Sequence, residues 1–158
     1  MGYNATVFLP DDSTTTRLGE ALATCLRDGD TILLEGQIGT GKTHFARAVI
    51  RKLFSTPDQP EIEIPSPTFT LVQTYLAPGL ELWHADLYRL SDPSEIEELG
   101  LLEAFQSAIV LVEWPDRLSE PPESALTIHF DYQGDGRIAT LSSPSSHWEM
   151  LNPALAHE

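Results

Sequence analysis

A short apolar segment, TILLE (Thr31–Glu35), runs directly into GQIGTGKTHF (Gly36–Phe45), and this junction constrains the fold more than any other part of the chain. Gly36, Gly41, Lys42 and Thr43 fill the fixed positions of the spacing G-x-x-x-x-G-K-[ST]. Glycines at such positions let the backbone turn so that successive N–H groups converge on phosphate oxygens, and the helix that follows adds its positive end. Lys42 is then a point charge for β- and γ-phosphates, and the Thr43 hydroxyl a ligand for Mg²⁺. A plain glycine turn between strand and helix satisfies the same letters. The context favours the phosphate loop: a continuously apolar strand precedes it, and Phe45, Ala46, Val49, Ile50 and Leu53 follow at helical spacing from Lys42 to about Phe54.

The rest of the chain reads as alternating strands and helices. TVFLP (Thr6–Pro10) is a first strand, and Asp11, Asp12 and Ser13 offer capping oxygens for a helix through about Arg27, with Leu18, Ala21, Leu22 and Cys25 on one face. Residues 55–67 carry prolines at 57, 60, 65 and 67, which exclude regular helix and predict a surface connection into SPTFT. FTLVQTYLA and LELWHADLYRL flank a Pro78-Gly79 turn as an antiparallel hairpin. DPSEIEELGLLEAF is helical, broken near Gly100, and AIVLVEWP is a buried strand. ALTIHFDY and RIATLSS form a second hairpin around Gln133–Gly136. The expectation is one domain over residues 1–143, with a tail at 144–158 that carries a short helix around Trp148 and Leu151 packed on the same domain.

Composition narrows the function. Nine Lys and Arg residues face 24 Asp and Glu, a formal charge of −15, with no basic run or stripe. Nucleic-acid affinity rests on basic side chains neutralising phosphates, so direct DNA or RNA binding by this chain is disfavoured. A bound triphosphate needs local compensation from backbone amides, Lys42 and a divalent cation. No apolar run approaches the length of a membrane helix, the N-terminus lacks the pattern of a secretory signal, and Cys25 is the only cysteine. A soluble cytoplasmic protein is expected.

A phosphate loop hydrolyses nothing by itself; it needs an acidic residue for the metal and a group that orients the attacking water. IVLVE delivers Glu113 to the carboxyl end of an apolar strand, where ligands sit in open α/β sheets, although a charged residue often simply ends a strand. Asp86, in HADLYRL, is a second strand-end carboxylate, with pairing to Arg89 as the plainer reading. Thr68 and Thr70 lie on a proline-stiffened loop suited to sensing a γ-phosphate, or merely to entering a strand. His84 is a lone strand histidine, read as packed or exposed rather than as a base; His44, His129 and His147 show no metal-ligand spacing. Glu95, Glu97, Glu98 and Glu103 suit a solvated helix face or a partner surface.

GQIGTGKTHF, SPTFTLV, HADLYRLSDPSEIEELGL and VEWPDRL occur in the order and at the separations of the motifs of the TsaE (YjeE) family, which this chain resembles from about residue 9 to 137. These are small bacterial P-loop ATPases of the pathway that places threonylcarbamoyl on an adenosine beside the tRNA anticodon. The resemblance implies an α/β fold: a single three-layer P-loop NTPase-like domain whose mixed sheet combines parallel core strands with antiparallel hairpins. It implies ATP and Mg²⁺ as cofactors, with Thr43 and Glu113 as metal ligands. Gly36, Ile38, Gly39, Thr40, Gly41, Lys42 and Thr43 would hold the phosphates. Asp86, Glu113 and Lys42 would serve catalysis, and SPTF, with Thr68, would act as a switch-like segment. Trp114 would lie near the nucleotide, although a tryptophan there is more often core. Asp12, Asp116, Gly136 and Arg137 match family positions that contact base and sugar. His44 and Thr40 depart from the family's usual small hydroxyl residue and alanine, without touching essential chemistry.

The function so implied is a Mg²⁺-dependent ATPase, slow in isolation, that supports tRNA modification as an accessory of the TsaD–TsaB complex, with tRNA held by the partner. No arginine stands in an obvious finger position. Two alternatives use the same loop: a small-molecule kinase, for which no Arg-bearing lid is visible, and a nucleotide sensor that docks without hydrolysing. ATP over GTP rests on the resemblance alone.

Overall fold

The computed structural model describes residues 2–155 apart from positions 91 and 93, with residues 97 and 98 described by their backbone only. Seven strands form one sheet: β1 (Tyr3–Leu9), β2 (Thr31–Gly36), β3 (Val72–Ala77), β4 (Leu80–Asp86), β5 (Ile109–Glu113), β6 (Leu126–Gln133) and β7 (Gly136–Ser143), in the order β1-β7-β6-β2-β5-β4-β3. The phosphate-loop strand β2 lies at the centre, parallel to both β5 and β6, and β4 is parallel to β5. Antiparallel pairs flank this core: β3 with β4 on one side, β6 with β7 and β7 with β1 on the other. The mixed sheet expected from the resemblance is present.

Both faces are covered, which is why β2 and β5 are apolar without alternation. Ile32, Leu34, Ile109 and Leu111 face one core, with Leu18 and Leu22 of α1 (Asp12–Ala23) and Phe45, Val49 and Ile50 of α2 (Lys42–Phe54). Leu33, Val110 and Val112 face the other, with Ile96 of α3 (Glu95–Leu99) and Leu101, Ala104 and Phe105 of α4 (Leu101–Ser107). Gly100, at φ +83°, separates α3 from α4 at the expected break.

Several boundaries differ from the sequence reading. β1 spans Tyr3–Leu9, earlier than Thr6–Pro10, because its whole length pairs with β7. α1 stops at Ala23 rather than near Arg27; Cys25 and Leu26 N–H groups bond the carbonyls three residues back, so the chain tightens before the Gly29 turn. The buried face of α1 is also rotated, with Thr14, Thr15 and Gly19 inside. A Cβ at Gly19 would lie 2.8 Å from the Ala48 Cβ, so the glycine permits α1 and α2 to approach. The proline-rich connection is not wholly superficial: Ile64 is buried and its carbonyl accepts from Arg47 Nε at 2.9 Å. β3 begins only at Val72, because Leu71 adopts φ +69° and Phe69 is exposed.

Residues 146–151 form a 3₁₀ helix that buries Trp148, whose indole N–H donates to the Ser124 carbonyl at 2.7 Å. In the acidic run, Glu103 is exposed, whereas the Glu97 and Glu98 side chains lie outside the described residues.

Candidate functional site

The centre of the site is where β2 gives way to α2. Gly36 leaves the strand at φ +139°, and a Cβ there would sit 2.5 Å from the Phe130 carbonyl oxygen. Only glycine fits that crossing. Gly41, at φ +107°, is the N-cap of α2 and supplies no side-chain acceptor, so the first-turn N–H groups face the cleft uncapped. Thr40 is fully buried and its hydroxyl donates to the Gln37 carbonyl at 2.7 Å, so its side chain is committed within the loop.

Lys42 folds back over this loop. Its Nζ donates to the Gly36 carbonyl and, at 3.0 Å, to that of Gln37, and lies 3.9 Å from the centre of the Trp114 ring. Burial lowers its pKa from the ordinary lysine value, against the opposing pull of the Glu113 and Asp86 carboxylates. Trp114 follows β5 in a left-handed conformation, φ +59°, which swings the ring out of the core and against Tyr88, 4.7 Å between centroids. The expectation that a tryptophan here is more often core does not hold for this half-buried ring. A non-glycine residue in that region is strained, and such strain persists where surroundings over-determine it.

The two candidate carboxylates end adjacent parallel strands, Asp86 opposite Glu113. Glu113 is 2% exposed; one oxygen accepts from the Thr43 hydroxyl at 2.7 Å and the other meets His84 Nε2 at 2.6 Å. Asp86 accepts from the Tyr88 N–H at 3.0 Å and from the Thr68 hydroxyl at 3.2 Å. Burial raises the Asp86 pKa above the ordinary aspartate value, and the neighbouring Glu113 charge adds to the rise. Arg89, the plainer partner weighed for Asp86, instead stacks on Phe69, 4.8 Å from the ring centre.

Asp12, Ile38, Gly39, Gly41, Lys42, Thr43, Thr68, Asp86, Glu113, Trp114 and Arg137 therefore line one cleft of about 610 Å³, together with Tyr88 and His44. Gly36 and Asp116 open on an adjoining groove, and Thr40 and Gly136 on a smaller recess beside the start of α1. Arg137 reaches the cleft edge although the sequence marks no finger, and its guanidinium is tied to the Gly39 carbonyl at 3.2 Å. Thr70 is turned away, with its hydroxyl accepting from Gln73.

The oxygen donors Thr43 and Glu113, already within hydrogen-bond distance, suit a hard cation such as Mg²⁺. Among the described residues no group of three or more His, Cys, Asp or Glu is placed to hold a metal. Mg²⁺ commonly needs only one or two protein oxygens when phosphates and waters complete its shell.

His84, expected to be packed or exposed, is fully buried with its Nε2 on Glu113, whereas Tyr88, which the sequence did not single out, lines the cleft. The signal for His84 was its place two residues before Asp86, which on a strand puts both side chains on one face. Its buried Nδ1 has no hydrogen-bond partner among the described residues. His44 joins α2 to the start of α1 through the Thr16 hydroxyl, at 2.8 Å.

A family model described as "Threonylcarbamoyl adenosine biosynthesis protein TsaE" matches residues 9–139. A "tRNA threonylcarbamoyladenosine biosynthesis protein TsaE" from Rickettsia felis is 39% identical over 150 residues, covering 92% of this chain and 85% of its own. The protein so described from Haemophilus influenzae is 32% identical over 143 residues, covering 86% and 87%. Among solved structures, YdiB of Bacillus subtilis superposes with a TM-score of 0.78 at 27% identity, over 99% of this chain and 97% of that one.

Proposed function

The chain belongs to the TsaE family, and on that premise we propose that it is a Mg²⁺-dependent ATPase serving tRNA threonylcarbamoyladenosine biosynthesis through the TsaD–TsaB complex. The observation that carries this reading is the placement of Asp86 and Glu113 as register partners at the ends of β4 and β5, with Glu113 already bonded to Thr43 of the phosphate loop. One carboxylate is held for the metal and the other, less than fully committed, is left for the water.

In this reading the uncapped first turn of α2 and the Lys42 ammonium seat the phosphates. Thr43 and Glu113 would hold Mg²⁺, which would supply charge neutralisation to the phosphates. Asp86 orients the attacking water and accepts its proton; a carboxyl with a raised pKa is a better proton acceptor than an ordinary aspartate. Thr68, bonded to Asp86, links the SPTF segment to the same carboxylate. Trp114 and Tyr88 pack against each other and wall the cleft.

The charge of −15 supports a division of labour in which a partner protein holds the tRNA. The test is ATP turnover by the chain alone and with TsaD, TsaB and tRNA added one at a time. Slow hydrolysis alone and faster turnover in the assembly are expected; equal rates count against the partner-dependent role. Phosphate recovered on a metabolite instead of as free phosphate would reassign the site to a kinase.

A further inference from the structure

The β6–β7 hairpin, which carries none of the four quoted motifs, holds the phosphate loop at the edge of the cleft. Tyr132 and Arg137 are register partners on its two strands, and the Arg137 guanidinium lies 4.5 Å from the centre of the Tyr132 ring. From that stack the Tyr132 hydroxyl donates to the Ile38 carbonyl at 3.1 Å, and Arg137 Nη2 donates to the Gly39 carbonyl at 3.2 Å. Two consecutive carbonyls of the loop are thus held by one hairpin.

The peptide group is planar, and every peptide bond of the described residues is trans, so the Ile38 C=O and the Gly39 N–H point in opposite directions. Holding the carbonyl toward the hairpin directs the Gly39 N–H away from it. The next plane behaves alike: with the Gly39 carbonyl on Arg137, the Thr40 N–H turns inward to the Gln37 carbonyl at 3.3 Å. Gly39 itself sits at φ +85°, in contact range of the clasp, since a Cβ there would meet the Tyr132 hydroxyl at 3.2 Å. Glycine has ready alternatives to this conformation, and the bond from the Tyr132 hydroxyl to the Ile38 carbonyl limits them.

We propose that Tyr132 is a positioning residue for the phosphate chain: its hydroxyl, through the Ile38 carbonyl, presets the Gly39 N–H toward the phosphates before nucleotide arrives. The inference rests on the triphosphate reading of the cleft. Its gain is preorganisation, because a loop already in its bound conformation loses less entropy on binding.

The test compares wild type with Y132F, which removes the hydroxyl and keeps the ring that Arg137 stacks on. Titration with ATPγS and Mg²⁺ should show Kd rising about fivefold in Y132F, the worth of one hydrogen bond. The thermal midpoint of the nucleotide-free protein should be unchanged, because the bond is at the surface. The Gly39 amide resonance supplies the signature that a merely structural role would not move: sharp in nucleotide-free wild type, exchange-broadened in nucleotide-free Y132F, and sharp again at saturating ligand. Unchanged affinity with a sharp Gly39 resonance in Y132F overturns the inference alone. Weakened affinity with a sharp resonance makes Tyr132 a direct ligand contact and also overturns it. Failure of wild type to bind ATPγS overturns both this inference and the function it rests on.

Discussion

Asp86 and Glu113 stand opposite each other at the ends of two parallel strands, yet their surroundings differ. Glu113 has both oxygens engaged by side chains, Thr43 on one and His84 on the other. Asp86 is held by a backbone N–H and by one longer hydroxyl contact, and burial pushes its pKa up. Two carboxylates in one site with different environments take different roles. D86A should therefore leave ATPγS affinity within about twofold, since it removes no group assigned to the phosphates or the metal, and lower turnover by roughly a hundredfold or more, as loss of a positioned base does. Titration beside steady-state phosphate release checks this. If binding collapses together with turnover, Asp86 is structural; if D86N keeps its cellular function without hydrolysis, the chain is a sensor.

The same carboxyl makes a pH prediction. Its pKa in the folded protein is raised above the ordinary value of 3.8. Between those two values the folded state holds a proton that the unfolded chain has released, so stability from this group falls as pH rises through that window. Above it the full cost of a buried charge remains. D86N abolishes that cost. The difference in thermal midpoint, D86N minus wild type, should become more positive as pH increases from about 4 toward neutrality. A difference independent of pH would mean that Asp86 titrates as an ordinary surface carboxylate.

Much of the architecture was legible in the sequence because local chemistry and tertiary context agree. TILLE is apolar on both faces and lies mid-sheet; Gly100 breaks a helix where only φ +83° suits the backbone. What was not legible depends on neighbours distant in the chain. Nothing local says that β1 pairs over seven residues with β7, or that α1 turns Gly19 inward to meet Ala48. At the site, the phosphate-loop residues and the two strand-end carboxylates can be picked out by residue type and position, and they line one cleft. Tyr132 cannot be picked out so, because its hydroxyl matters only through a carbonyl 94 residues away. Asp116 and Gly136 open on neighbouring recesses, a distinction of direction that spacing alone does not carry.

Lys42 is the one lysine placed in the cleft, in a protein of charge −15. Its ammonium bonds the Gly36 and Gln37 carbonyls and lies over the Trp114 ring, contacts that phosphate oxygens would replace. K42A should raise the ATPγS Kd by about a hundredfold, from two charge-assisted hydrogen bonds at roughly 1.5 kcal/mol each. The loss should shrink for AMP, which lacks the β- and γ-phosphates. Equal losses for AMP and ATPγS would place the ammonium elsewhere on the ligand.

His84 makes the most demanding prediction, because no motif logic required it. It is fully buried between strands, and its Nε2 holds the Glu113 oxygen that Thr43 does not. H84A leaves a cavity and an under-partnered buried carboxylate, a loss of about 3 kcal/mol. For a chain of this size that lowers the thermal midpoint by roughly 6–12 °C. H84Q retains a donor of comparable reach and should recover part of the loss. If His84 also orients Glu113 for the metal, Mg²⁺ should tighten ATPγS binding less in H84Q than in wild type. Metal-free binding should stay the same. Titrations with and without Mg²⁺ separate the two roles: a lower midpoint with an unchanged Mg²⁺ effect leaves His84 as packing, and a diminished Mg²⁺ effect makes it the residue that aims Glu113.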